Sequence, residues 1–176
     1  MPYAPGPDLK PDCEKCCGLC CVAPAFAVSS DFAISKPAGK PCPKLTTDFR
    51  CSIHERLRPE GFPGCIAYDC FGAGQKVTQL TFKGSTWRSS PKVAGQMFEV
   101  FGVMQQLHSM LRYLTEALEL EPAGPLSAAL QGRLDEVRGL SEGTPTDLMA
   151  LDLKAVRLQT DDLLLRFSEF VRRRDP

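Results

Sequence analysis

Residues 13–21 read Cys13-Glu-Lys-Cys16-Cys17-Gly-Leu-Cys20-Cys21 and hold five of the nine cysteines in this chain of 176 residues. The other four cysteines follow singly, at Cys42, Cys51, Cys65 and Cys70. Thiols this close in sequence cannot all pair as disulfides, because a disulfide needs two Cα atoms about 4.4–6.8 Å apart with suitably aimed Cβ atoms. They can converge on a metal ion, since thiolates are common metal ligands.

The start of the chain has no apolar run of the kind that forms the core of a secretory signal. We therefore expect a cytoplasmic protein whose thiols stay reduced. In that setting a dense cysteine pattern with an odd count favours metal ligation over disulfides.

The charge of the chain is balanced, with 21 basic and 21 acidic residues. This balance gives no electrostatic reason to expect nucleic acid or a membrane surface as a partner. The sequence also lacks a stretch long and apolar enough to span a membrane. We expect a protein partner instead, and no small-molecule substrate is indicated.

The composition changes near residue 90. Residues 1–90 are rich in proline and glycine and have short apolar runs, which predicts a loop-rich cysteine module with too little core to fold without a metal staple. Within this module, residues 76–82 turn at Lys83-Gly84 into residues 85–87, and the strand-favouring residue types predict a short β-hairpin.

Residues 91–176 predict a three-helix antiparallel bundle. A cap residue followed by proline, Ser90-Pro91, opens the first helix, and Thr144-Pro145 opens the third. The second helix is expected from about Leu126 to Leu140. The first helix carries an apolar stripe at three- and four-residue steps. The stripe consists of Val93, Met97, Phe101, Met104, His108, Leu111, Leu114 and Leu118. The expected fold class is therefore small α+β, with a cysteine-rich metal-binding module over residues 1–90 and a helical bundle over residues 91–176.

All nine cysteines are candidate metal ligands. Cys13 and Cys16 have the two-residue spacer that lets two thiolates reach one ion, and Cys17 and Cys20 offer the same spacing in a shifted register. The spacing leaves both registers open. Nine thiols would allow two four-sulfur sites and one spare cysteine. One chemically sound distal set consists of Cys42, Cys51, Cys65 and Cys70.

Two histidines and the methionines of the stripe are weaker ligand candidates. His54 follows Cys51 at metal-ligand spacing, but a solvated histidine on a short helical turn is the favoured interpretation. His108 lies within the helical stripe, where we expect a hydrogen-bonded core histidine. Methionines on such a stripe are typical gap-filling core residues.

The order of the cysteine motifs carries a resemblance over about residues 10–72. After residues 13–21 come Lys-Pro-Cys42-Pro-Lys-Leu, Phe-Arg-Cys51-Ser-Ile, and Arg58-Pro59 with Cys65 shortly after. This order resembles the CxxCxxCC family, the YkgJ-like bacterial proteins described as zinc- or iron-chelating domains. The resemblance implies a chelating role for the cysteines and brings no established reaction.

A second resemblance spans nearly the whole chain. It rests on Gly-Leu-Cys20-Cys21-Val-Ala, Gly-Phe-Pro-Gly-Cys65, Tyr68-Asp-Cys70-Phe-Gly-Ala-Gly-Gln and Leu107-His-Ser-Met-Leu-Arg-Tyr-Leu. These segments are similar to the part that precedes the repeats in some actinobacterial pentapeptide-repeat proteins. No five-residue repeat occurs here, so the resemblance implies a cysteine module followed by helices and not a β-helix.

The sequence shows no P-loop, nucleophile elbow or zinc-protease motif, so we name no catalytic residue and leave enzymatic activity open. It predicts a metal-binding protein with one or two thiolate-rich zinc sites, acting as a structural or protein-interaction module. The alternative is an iron–sulfur protein with a redox or modifying-enzyme role.

Overall fold

The computed structural model of the chain describes residues 9–121 and 124–174. The α-helices within these ranges are α1 (Leu19–Val22), α2 (Pro63–Ala67), α3 (Ala73–Lys76), α4 (Pro91–Leu120), α5 (Ser127–Ser141), α6 (Pro145–Ala150) and α7 (Leu153–Arg174). Short 3-10 turns lie at Cys13–Lys15 and His54–Arg56, and a π-helical turn at Val77–Thr81 directly follows α3. No helix in the described ranges is both long and apolar enough to cross a membrane.

The expected α+β class is wrong. The described residues form no β-sheet, and their strand-like pairing is limited to isolated bridges between Phe26 and Lys36 and between Leu45 and Cys51. The fold is helical, with long irregular loops in the cysteine-rich part of the chain.

The predicted hairpin at residues 76–87 does not form. Residues 76–81 belong to the end of α3 and the π-helical turn, and residues 82–87 form irregular turns. Val77 and Thr78 are neighbours in sequence and both are buried, whereas Leu80 is 65% exposed. A strand would place such neighbours on opposite faces. Burial of consecutive residues against the core therefore overrides the strand-favouring side chains of this segment.

Helix α4 is the longest element and contacts helices from both parts of the chain. It begins at Pro91 as predicted, and the Ser90 hydroxyl accepts a hydrogen bond from the Val93 N–H at 3.2 Å. It packs against α5, α6 and α7, and also against α1, α3 and the π-helical turn. Its buried surface is accordingly wider than the predicted stripe, and it adds Val100, Leu107, Met110 and Ala117.

The predicted third helix is divided into α6 and α7. Thr144 and Asp147 form a capping box that starts α6, and the backbone turns extended at Leu151. The Asp152 carboxylate then accepts a hydrogen bond from the Ala155 N–H at 3.0 Å, which caps a new helix start. The bundle of the described residues therefore has four helices where three were expected.

Helix α5 closes the bundle through apolar and polar contacts. Leu130, Leu134 and Val137 are fully buried. Arg133 is buried on the same helix, and its guanidinium donates to the Thr160 hydroxyl of α7 at 2.9 Å. A buried guanidinium needs such acceptors, so this contact fixes α5 against α7.

The main hydrophobic core contains side chains from both predicted parts of the chain. Leu19 and Val77 belong to it together with Met97 and Met104 of α4. A second, small core of Ile53, Leu57 and Phe62 lies in the loop-rich part. The division near residue 90 stays a prediction, while the shared core fixes the first cysteines relative to α4.

Candidate functional site

Helix α1 presents two adjacent cysteines at the edge of the main core. Leu19 and Val22 are fully buried and anchor the helix, while Cys20 and Cys21 between them remain half-buried. Gly18 precedes the helix with a φ of 71°, in the left-handed region that glycine adopts without strain. The turn at Gly18 therefore starts α1 where Leu19 and Val22 enter the core, with Cys20 packed at its edge.

Four cysteines line one pocket, and we call them the proximal group. They are Cys13, Cys16, Cys20 and Cys70. The rest of the lining includes Asp12, Gly74, Gln75 and Phe101. Cys13 is the solvent-exposed member, and the other three are half-buried. The helical fold thus brings Cys70 to the cysteines of residues 13–20.

Helix α3 and the turn after it hold the first cysteines in place through two glutamine side chains. The Gln75 amide accepts from the Asp12 N–H at 2.6 Å and donates to the Lys10 carbonyl at 2.8 Å. The Gln79 amide donates to the Lys15 carbonyl at 2.8 Å. The backbone around Cys13 is therefore tied to the same helix that follows Cys70.

Gly74 of α3 leaves the space that the Cys16 sulfur occupies. A Cβ atom built on Gly74 would lie 2.6 Å from Cys16 Sγ, closer than real side chains approach. Absence of a side chain at this position lets the sulfur lie directly against the helix backbone.

Several thiols accept hydrogen bonds from backbone N–H groups a few residues further along. Cys16 accepts from the N–H groups of Gly18 and Leu19, and Cys51 accepts from that of Ile53. The Cys70 sulfur accepts likewise from the second and fourth residues after it. Such donors favour the charged form of a thiol, because they place positive partial charge at the sulfur.

Four of the five remaining cysteines lie on α1, on α2 and in the loops between them, and we call them the distal group. They are Cys21, Cys42, Cys51 and Cys65. The Cys42 N–H donates to the Cys21 carbonyl at 2.9 Å, and the Leu45 N–H donates to the Cys42 carbonyl at 2.9 Å. Leu45 in turn bridges to Cys51. Cys65 is exposed on α2, and the thiols of Cys20, Cys42 and Cys51 act on it electrostatically.

This arrangement changes the distal set considered from the sequence. Cys70 lies in the proximal pocket and not with Cys42, Cys51 and Cys65. Cys21 is counted in its place, because the Cys42 N–H donates to the Cys21 carbonyl. The sulfur atoms of the adjacent Cys20 and Cys21 lie 3.9 Å apart, so the two groups meet at α1.

Cys17 belongs to neither group. It is buried in the main core, with its sulfur 3.7 Å from the Met97 sulfur. The Thr78 hydroxyl donates to the Cys17 sulfur at 3.4 Å, and the Trp87 indole N–H donates to the Cys17 carbonyl at 2.8 Å. Of the two registers left open by the sequence, the structure places the sulfurs of Cys13 and Cys16 in one pocket.

Burial and mutual repulsion keep most of the thiols neutral. Burial is the main cause that raises the pKa of the Cys16 thiol to about 12 and that of the Cys65 thiol to about 11. The hydrogen bond with Cys21, followed by burial, raises the pKa of Cys20. Burial also raises the pKa of Cys13, Cys17, Cys51 and Cys70. Neutral thiols are weak nucleophiles, so this arrangement does not favour thiol-based catalysis.

The sulfurs are gathered but are not in coordination geometry. Within residues 9–121 and 124–174, no group of three or more His, Cys, Asp or Glu side chains is arranged to hold a metal ion. The donor set nevertheless fits a thiophilic metal, because each group supplies four thiols and the proximal group lies beside Gly74, which leaves room at Cys16.

Neither histidine lies in the two groups. His54 is exposed on its 3-10 turn. His108 is buried in α4, and its Nδ1–H donates to the Phe71 carbonyl at 2.6 Å. His108 therefore fixes the residue after Cys70 against α4, as expected of a hydrogen-bonded core histidine.

Comparison with known proteins gives a relative without a described activity. The chain is 48% identical over 165 residues to the uncharacterized protein YybG of Bacillus subtilis, and this match covers 94% of the chain and 59% of YybG. The chain thus spans about three fifths of the length of that curated relative. No protein-family model matches the chain, and no solved structure matches it. The resemblance to the CxxCxxCC proteins stays an expectation.

Sequence reasoning missed the residues that assemble the proximal pocket. Gln75 and Gln79 are four residues apart, which places both on one face of a helical segment. This four-residue spacing is visible in the sequence, but it indicates a shared face only if residues 73–81 are helical and not part of a hairpin. No local sequence pattern marks Gly74, because its role is to leave space for Cys16, which is distant in sequence.

We predict that Gly74→Ala destabilises the protein by about 1–3 kcal/mol, because the new methyl group overlaps the Cys16 sulfur. The matched control is Gly102→Ala in α4, where an added Cβ meets nothing within 4 Å. That control should gain about 0.5–1 kcal/mol from helix propensity. Urea unfolding of the two variants measures the difference, and a Gly74→Ala protein as stable as wild type would refute the contact.

Proposed function

We propose that this chain is a cytoplasmic zinc-binding module in which two groups of four thiolates staple the loop-rich segment to the helical bundle. The observation that carries the proposal is the pocket lined by Cys13, Cys16, Cys20 and Cys70, which join the two ends of the cysteine-rich segment. The distal group would hold a second ion. Cys17 is the spare thiol.

The need for a staple follows from the packing of the loop-rich part. Between α1 and α3 the buried apolar residues form a core of three side chains, Ile53, Leu57 and Phe62. Such a core stabilises a segment of this length weakly. Thiolate coordination of a structural zinc ion contributes on the order of 10 kcal/mol per site, which is enough to order the loops.

Zinc suits the donors better than the alternatives. A structural zinc ion needs four ligands in tetrahedral geometry and no redox chemistry, and thiolates alone satisfy it. The backbone N–H groups at Cys16, Cys51 and Cys70 support negative charge on these sulfurs. Once bound, zinc would supply charge that keeps the thiolates deprotonated and cross-links the segments that carry them.

The partner of this module would be a protein. The 21 basic and 21 acidic residues offer no surplus positive charge for the phosphates of a nucleic acid. We accordingly assign the bundle and the stapled loops a structural or protein-interaction role.

Elemental analysis of protein purified without oxygen tests the proposal directly. We expect about two zinc ions per chain and no visible absorbance. Iron with sulfide and a brown, reducible chromophore would indicate that the same cysteines hold an iron–sulfur cluster and not zinc. Absence of any bound metal would refute the thiolate site altogether.

Single substitutions should separate ligands from bystanders. Cys20→Ala removes a proximal ligand, so we expect the zinc content to fall by about one ion per chain. Cys17→Ala and His54→Ala are the matched controls and should retain both ions. Metal content is measured on folded, monodisperse protein, and a larger loss in His54→Ala than in Cys20→Ala would overturn the ligand assignment.

Removal of the metal should disorder one part of the chain selectively. After chelation we expect amide exchange across residues 9–72 to accelerate by roughly 100-fold or more, since zinc stabilises the state that binds it. Helices α4 to α7 should keep most of their protection, because they supply most of the side chains of the main core themselves. Unchanged protection of residues 9–72 in the metal-free protein would contradict a stapling role.

A further inference from the structure

Lys36 is a buried lysine in the loop between the two distal cysteines Cys21 and Cys42. Its side chain lies in the interior, and the residue is 4% exposed. Four backbone carbonyl oxygens surround the ammonium within hydrogen-bond distance and share its three N–H donors, and we call them the carbonyl cage. The cage consists of the carbonyls of Val22 at 3.1 Å, Pro24 at 2.5 Å, Pro37 at 3.1 Å and Lys40 at 2.9 Å.

The carbonyl cage lies beside the distal group. Val22 directly follows Cys21, and Lys40 precedes Cys42 by two residues. The Cys42 N–H donates to the Cys21 carbonyl, which closes the loop that contains Lys36. The ammonium is thus fixed at the point where two distal ligands are joined.

The charge of Lys36 has no carboxylate partner. Among the residues that the structure describes, no Asp or Glu forms an ion pair with it. The groups that act on it electrostatically are Cys42 and Cys21, which oppose the lowering of the lysine pKa by burial. Carbonyl dipoles solvate a buried ammonium, but an opposite charge is what usually compensates it.

We propose that Lys36 is the counter-charge residue of the distal group, holding a positive charge beside the thiolates of Cys21 and Cys42 when they bind a divalent metal. This inference rests on the proposed zinc-binding function. A divalent ion bound by four thiolates carries two excess negative charges, so an ammonium beside it favours the complex electrostatically. Groups in this outer position typically change metal affinity by about 10–100-fold.

Zinc titration against a chromophoric chelator tests the proposal on the full chain. In Lys36→Ala we expect about 10–100-fold weaker binding of one of the two zinc ions and an unchanged affinity for the other. The matched control is Lys40→Ala, which removes an exposed lysine of the same loop and leaves the cage carbonyls in place. Lys36→Gln is a second variant, since its amide can still donate to carbonyls but carries no charge.

Chemical rescue separates charge from packing. Lys36→Ala lacks the atoms of a propylammonium ion, so added propylammonium should restore the weakened zinc affinity. The neutral alcohol 1-propanol has a similar size and should not restore it. In a Cys42→Ser background, which disables the distal group, Lys36→Ala should have no further effect on the remaining zinc ion.

The outcomes distinguish this inference from the function on which it rests. Wild-type protein that binds no zinc would overturn both. A second outcome would overturn the role of Lys36 alone. In it, the wild-type protein binds two zinc ions, and the Lys36→Ala and Lys36→Gln variants bind both ions as tightly as the wild type does. If 1-propanol restored the zinc affinity as well as propylammonium does, or if the affinity for both ions fell equally, Lys36 would be a packing residue and its role as a counter-charge would be refuted.

Discussion

The packing of the first cysteine run on helix α4 is the contact on which the other features depend. Cys17 is buried against Met97, and Leu19 and Val22 of α1 are fully buried in the same core. Burial of two such aliphatic side chains contributes roughly 3–6 kcal/mol, which holds α1 against the bundle. Once α1 is fixed, the directions of Cys20 and Cys21 follow, and with them the positions of both cysteine groups.

The helical bundle and the weakly packed loops therefore position the two cysteine groups in different ways. The proximal group is positioned largely by helices, since α3 carries Gly74 and Gln75 and the His108 contact holds the residue after Cys70. The distal group is positioned by loop contacts, because Cys42 and Cys51 are fixed by turn and bridge hydrogen bonds beside a core of three apolar residues. Metal binding would accordingly change the distal loops more than the proximal pocket.

The sequence predicted the features that depend on local patterns and missed those that depend on long-range packing. Ser90-Pro91 located the start of α4, because capping is determined by adjacent residues. Val77 and Thr81 favour strands and so predicted a hairpin over residues 76–87. Residues 76–81 are helical instead, because this segment packs against α4, which the local sequence does not show. The break at Leu151 was missed because the apolar pattern continues through it, and Asp152 restarts the helix. The partition of nine cysteines into two groups and a core residue likewise requires the positions of α1 and α3.

Backbone N–H groups donate to thiols of both groups, and the distal group has the Lys36 ammonium beside it in addition. In the proximal group the donors to Cys16 and Cys70 are backbone N–H groups, which every residue except proline supplies and whose positions are set by the backbone. In the distal group a single side chain, Lys36, brings a full charge to Cys21 and Cys42. A backbone donor is fixed by the fold, whereas a side-chain charge can be removed by one substitution. If the two groups bind metal as proposed, the distal group is therefore the one whose affinity a single substitution would change while the helical scaffold stays the same.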